Sequence, residues 1–132
     1  MRLVLTGLIF AGGLLFLFMG FGFLLDPVAS GADFGLTSSG AQGLATMRAD
    51  MTAFFVVAAV SMMIGAWRRN GDLLLVPAGL FGVALIGRFV GLAVDGAWNG
   101  FWMPMLVEAA CVIVLLIASR VLPHPATTPS VR

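Results

Sequence analysis

One arginine stands inside an apolar run of the sequence, where a charge is unexpected. Arg88 lies in the stretch 87–96, near the end of a long series of apolar residues. A charge in hydrocarbon costs about 2.5 to 3.5 kcal/mol on insertion scales, so a partner or a function is expected for it. Asp95 follows two helical turns later and on the same face. The residues around Arg88 are therefore the first candidates for chemistry.

Other charged residues fall at a similar depth in neighbouring apolar runs. At 1.5 Å per helical residue, Arg88 lies roughly 10 Å and Glu108 roughly 6 to 8 Å from the ends of their runs on one side. Arg48 and Asp50 lie at the start of the preceding apolar run, on the same side. We call these five residues the charged layer: Arg48, Asp50, Arg88, Asp95 and Glu108.

The residue types predict how the layer is connected. Arg88 and Glu108 are a natural pair between helices, because a bidentate bond would satisfy both charges. Asp95 either holds Arg88 or caps its helix, and Arg48 and Asp50 cannot both point inward because they are two residues apart. Three acids against two arginines leave one negative charge, which a proton, a cation or a polar ligand would balance.

Two interpretations of the layer remain open. In the first, the charges only fix the register of the helices. In the second, they form a polar pocket that binds a small amphiphile, because ionisable residues inside a membrane usually mark function. Phe54, Phe55 and Phe89 would then line the pocket.

The pocket is compatible with two classes of function. The favoured one is an accessory subunit or small-ligand-binding module of a membrane complex. The alternative is a membrane-embedded isomerase or hydrolase for a lipophilic small molecule, in which Glu108 or Asp50 is the base and Arg88 its electrostatic partner.

The composition predicts the elements that carry these residues. The chain has 132 residues, of which 61% are hydrophobic and only 10% charged. Four apolar runs are long enough to span a bilayer. We predict an all-α, four-transmembrane-helix bundle over 1–122, with a polar tail over 123–132 and helices at about 3–25, 47–67, 73–94 and 103–122.

The first apolar run and the segment after it each allow two interpretations. The run over 3–25 is too long for a signal peptide, so a spanning helix is favoured. The segment 26–46 is long for a loop in a compact domain, and such loops are often lids. A solvated connector is the equal alternative for 26–46.

Glycines in the third run are spaced for close helix contact. Small residues four apart let helix backbones approach each other in a membrane. Gly82, Gly87 and Gly91 are therefore predicted to pack against a helix, within this chain, in a second copy or in a larger membrane complex.

The arginines predict the orientation of the bundle. Arg2, Arg68, Arg69, Arg120 and Arg132 fall on one side of the predicted spans. Positive residues favour the cytoplasmic side, so both termini are predicted to be cytoplasmic and the charged layer to lie near the periplasmic side.

Several functions find no support in the sequence. The one histidine, His124, is in the tail, so no metal or cofactor is predicted. A single cysteine, Cys111, excludes an internal disulfide. The sequence has no basic patch, so nucleic acid is not an expected partner. The expected partner is the lipid bilayer.

The motifs together resemble a known family. The start at 47–50, the Gly-Arg and Asp-Gly pairs within 87–96 and the later Glu108 are similar to domain of unknown function 4345. The similarity covers roughly 5–120. It implies a small four-helix protein of the bacterial inner membrane, in the broad group of DoxX-like proteins. It implies no activity, and no catalytic residue is transferred from it.

Overall fold

The computed structural model describes residues 1–125, which form only helices and the turns between them. The α-helices are α1 Arg2–Leu25, α2 Pro27–Ala32, α3 Gly40–Thr46, α4 Thr52–Trp67, α5 Leu75–Val94 and α6 Trp102–Val121. A π-helical segment, Met47–Met51, joins α3 to α4, and a short 3-10 turn, Asp72–Leu74, precedes α5. The prediction of an all-α protein with four long apolar helices is confirmed.

Four helical stretches are long and apolar enough to cross a membrane: Arg2–Leu25, Gly40–Trp67, Asp72–Val94 and Trp102–Val121. The second stretch begins at Gly40, before the predicted residue 47, because α3 continues through the π-helical segment into α4. Large apolar side chains such as Val83 and Ile86 on α5 are 70% and 64% exposed. Soluble proteins rarely expose such continuous apolar surface, so the surface and the helix lengths are those expected of a multi-pass membrane protein.

Two helix pairs make up the bundle. α1 packs closely along α4, α5 packs along α6, and α1 touches α6 only slightly. The α1–α4 contact depends on two glycines: a Cβ on Gly13 would lie 2.7 Å from Met63 Cγ, and one on Gly20 would lie 2.8 Å from Val56 Cγ2. These small residues therefore bring the two backbones together.

The glycines predicted to pack helices make no close helix contact within residues 1–125. A Cβ on Gly82 or Gly87 would meet nothing within 4 Å, and one on Gly91 would meet only Asp95 Oδ2 at 3.9 Å. Close packing of these glycines against a second copy or a larger membrane complex stays a prediction.

The segment 26–46 folds onto the bundle instead of forming an open connector. Asp26 accepts a hydrogen bond from the backbone N–H of Ala29 at 3.0 Å and so caps α2. Farther on, Phe34 lies against the rings of Phe23 and Phe55, with centroid distances of 5.4 and 5.9 Å. The segment therefore covers one end of the aromatic core.

The start of the predicted polar tail is held by the α4–α5 turn. Gly71 N–H donates to the carbonyl of Pro123 at 3.0 Å, and His124 Nδ1 lies 2.6 Å from Asp72 Oδ1. These contacts attach residues 123 and 124, the start of the predicted polar tail, to the turn. The remaining tail, 126–132, lies outside the described residues.

Candidate functional site

Arg88 and Glu108 form an ion pair between α5 and α6. Arg88 Nε donates to Glu108 Oε1 at 2.8 Å. The Glu108 side chain is 10% exposed and that of Arg88 is 30% exposed. The pairing between helices is as the sequence predicts, although the contact is a single Nε bond and not the bidentate one expected.

The turn between α5 and α6 sets the two residues at one level. Gly96 and Gly100 have φ of +90° and +79°, values that glycine adopts without the strain other residues incur. α5 ends at Val94 and α6 begins at Trp102. Arg88 and Glu108 are therefore each about 9 Å from the same end of the helix pair, at 1.5 Å per residue.

The other three members of the predicted charged layer do not join this pair. Arg48 and Asp50 are exposed in the π-helical segment, and Asp95 is exposed at the end of α5. Asp95 shares a face with Arg88 but lies about 10 Å farther along the axis, too far for direct pairing. Within residues 1–125, the five-residue layer therefore reduces to Arg88 and Glu108.

A cavity of about 350 Å³ lies beside the ion pair. Its wall includes five phenylalanines, Phe16, Phe34, Phe54, Phe55 and Phe81, together with Met19 and Met51. Arg88 and Glu108 supply the polar side chains of the lining. An apolar cavity with a few convergent polar groups is the usual form of a small-molecule site, and this volume is within the common range.

One oxygen of Glu108 has no partner in the described part of the chain. Oε2 is buried and accepts no hydrogen bond, whereas Oε1 is bound by Arg88. Thr52 Oγ1 is the other such buried oxygen within residues 1–125, but Thr52 does not line the cavity. Leaving a buried acceptor unpaired costs about 1 to 3 kcal/mol. A donor on a bound molecule would remove that cost at Glu108.

A second, more polar pocket also borders the ion pair. It measures about 380 Å³ and is lined by Gly87, Gly91 and Trp98 together with Ala84 and the pair itself. Ala84 and the pair therefore line both the aromatic cavity and this second pocket. Gly87 and Gly91 leave space beside the charges, a role different from the predicted helix packing.

The aromatic lining was predicted in part. Phe54 and Phe55 line the cavity as expected, but Phe89 is 56% exposed and points away from it. Phe16 on α1 and Phe34 after α2 also line the cavity, and neither was predicted to do so. Phe16 and Phe23 are seven residues apart and share one face of α1, a signal that would have marked the inward side of this helix.

The described residues contain no group of three or more His, Cys, Asp or Glu side chains placed to hold a metal ion. No protein-family model, no curated protein and no solved structure matches the chain significantly. The resemblance to domain of unknown function 4345 stays a prediction.

Proposed function

We propose that this protein is a ligand-binding module of the bacterial inner membrane, with both termini cytoplasmic. It binds a lipophilic small molecule that carries a hydrogen-bond donor. Two observations are behind the proposal: the Glu108 side chain lines a 350 Å³ aromatic cavity, and its buried Oε2 has no hydrogen-bond partner within residues 1–125. A carboxylate oxygen accepts hydrogen bonds and donates none, so the complementary group is a hydroxyl, an amine or an amide N–H.

Charge balance favours a neutral ligand. Arg88 and Glu108 neutralise each other, and the cavity lining has no further charged side chain. An extra net charge in this apolar setting would be costly without a partner. The surplus negative charge predicted for the charged layer is not present at the ion pair, because Asp50 and Asp95 are exposed and lie away from it.

The enzymatic alternative keeps part of its support. A cavity does reach Glu108, as an isomerase or hydrolase for a lipophilic molecule requires, so Glu108 and Arg88 stay its candidate residues. Asp50 is exposed and does not line the cavity, so it is no longer a candidate base. Binding is the stronger proposal because it requires only a hydrogen bond to the unpaired Oε2 and no chemical step.

Membership of a larger membrane complex, or self-association, stays a prediction. Its support is the open space at Gly82 and Gly87 on α5, where a Cβ would meet no atom of the described residues within 4 Å.

Filling the cavity tests the binding proposal. Ala84 lines the cavity, and its neighbour Val83 is 70% exposed on the outer face of α5. Ala84→Phe is expected to lower the occupancy of a bound small molecule about tenfold or more, which corresponds to about 1.4 kcal/mol. Native mass spectrometry of protein released from lipid nanodiscs measures that occupancy.

Val83→Phe is the matched control, because it adds the same ring one residue away and outside the cavity. Wild type and Val83→Phe should each carry one small molecule per chain that is distinct from the nanodisc lipid. The binding proposal is wrong if no variant carries one, or if Ala84→Phe carries as much as wild type.

A further inference from the structure

A groove between α1 and α6 adjoins the cavity described above. It measures about 280 Å³, and its lining side chains are apolar apart from the thiol of Cys111. It exists because α1 and α6 barely touch, while each packs closely on another helix. Leu8 and Leu15 on its α1 side are each 58% exposed, so the groove opens toward the surroundings of the bundle.

The groove and the cavity share part of their walls. Phe16 on α1 and Val107 on α6 line both spaces. From this shared level the groove follows 8–16 on α1 and 107–115 on α6. Because α1 and α6 run in opposite directions, these stretches cover the same length of the bundle axis, about 12 Å at 1.5 Å per residue. The cavity and the groove are therefore arranged end to end along the axis.

We infer that the groove holds the hydrocarbon chain of the molecule whose polar head binds Glu108. The ligand is then a single-chain amphiphile with a neutral donor head, of the class of a long-chain alcohol. This inference rests on the proposed function. It follows from two adjoining spaces that share Phe16 and Val107: a cavity lined by the acceptor Glu108, and an apolar groove along the helices that opens between α1 and α6.

The two parts of the space contribute differently to binding. Hydrocarbon in a bilayer is as apolar as the groove, so the chain gains little free energy by leaving the lipid. The hydrogen bond at Glu108 Oε2 therefore supplies most of the preference for the site. The groove determines which molecules fit, because a rigid or bulky tail cannot follow the space between α1 and α6.

Photolabelling with two alcohol probes tests this assignment. The first is a hexadecanol analogue with a diazirine at mid-chain, and the second is a butanol analogue with a diazirine. Both are added to the full chain in phosphatidylcholine nanodiscs, and the labelled residues are located by mass spectrometry. The long probe is expected to label 8–16 and 107–115, and unlabelled hexadecanol should compete. The short probe is expected to label the cavity residues around Phe81 and Ala84.

A variant that blocks the groove distinguishes binding of the ligand's hydrocarbon chain from binding of its polar head. Ala110 lines the groove and Ile113 does not, although both are exposed on α6. Ala110→Phe should lower groove labelling by the long probe several-fold and leave cavity labelling by the short probe unchanged. Ile113→Phe is the matched control and should change neither.

Other labelling patterns would overturn the groove assignment alone or both proposals together. If the short probe labels the cavity but the long probe labels Val83 and Ile86 as strongly as the groove, the groove assignment is overturned and the binding proposal stands. A phosphatidylcholine photoprobe that labels the groove equally well would show an ordinary lipid contact and would also overturn the assignment. If the short probe does not label the cavity and the long probe does not label the groove, both proposals fail.

Discussion

Replacing Glu108 with leucine is expected to lower the free energy of unfolding by about 3 kcal/mol, the low end of the cost of breaking a buried ion pair. The change leaves the Arg88 guanidinium without its carboxylate, and arginine cannot lose its charge. The low end applies because the Arg88 side chain is 30% exposed and can reach toward a more polar region. Unfolding of the detergent-solubilised protein by SDS titration measures the loss.

Two further variants show whether the loss comes from the pair. The double variant Arg88→Met/Glu108→Leu removes both charges and should be about as stable as wild type, because apolar replacements of similar size often match a buried pair. Asp95→Asn alters an exposed member of the predicted charged layer and should change stability by about 0.5 kcal/mol or less. A double variant as unstable as Glu108→Leu would show that packing, not the unpaired arginine, causes the loss.

Gly13→Leu on α1 is expected to destabilise the bundle by about 3 kcal/mol, the upper end of typical overpacking costs. Its first added carbon would lie 2.7 Å from Met63 Cγ and 3.1 Å from the carbonyl oxygen of Ala59. The side chain of Met63 can move, but the backbone of α4 cannot do so without separating α1 from α4. The same SDS titration reports the change.

Gly7→Leu is the matched control because it makes the same substitution on the same helix. A Cβ at Gly7 meets nothing within 4 Å, so no loss of stability is expected there. Equal losses at both positions would mean that leucine harms α1 for a reason unrelated to its contact with α4. A stable Gly13→Leu protein would contradict the close α1–α4 packing.

The sequence predicted the features that depend on length and depth. Four apolar runs of about 20 residues are sufficient to predict four long helices, because a bilayer fixes the length that a helix needs to span it. Arg88 and Glu108 could be paired by counting residues from the ends of neighbouring runs, because an α-helix rises by a constant amount per residue.

The sequence could not show which face of each helix points inward. In a soluble protein the buried face is the apolar one, but here lipid and core are both apolar. Gly13 and Gly82 both stand in apolar surroundings, yet the first is packed against α4 and the second is open. The prediction that all five charged residues lie together failed for a related reason. The depth of a residue in its helix does not show whether Arg48, Asp50 or Asp95 faces the bundle.

The conformation of the irregular segments also could not be predicted from the sequence patterns. The π-helical turn at Met47–Met51 has no composition that marks it, and it places Met51 in the cavity wall while Arg48 and Asp50 stay exposed. π-helical turns are frequent at functional sites. Phe34 likewise reaches the cavity from the segment 26–46, for which the sequence left a lid and a solvated connector as equal alternatives.

The central claim is that Glu108 Oε2 accepts a hydrogen bond from a molecule bound inside the bundle. An electron-density map of the native protein, crystallised from a lipidic mesophase, tests this most directly. The expected result is elongated density between α1 and α6, with a polar atom about 2.7 to 3.2 Å from Oε2. Phenylalanine rings that close the cavity around the ion pair, or a Glu108 side chain turned toward lipid, would contradict the claim.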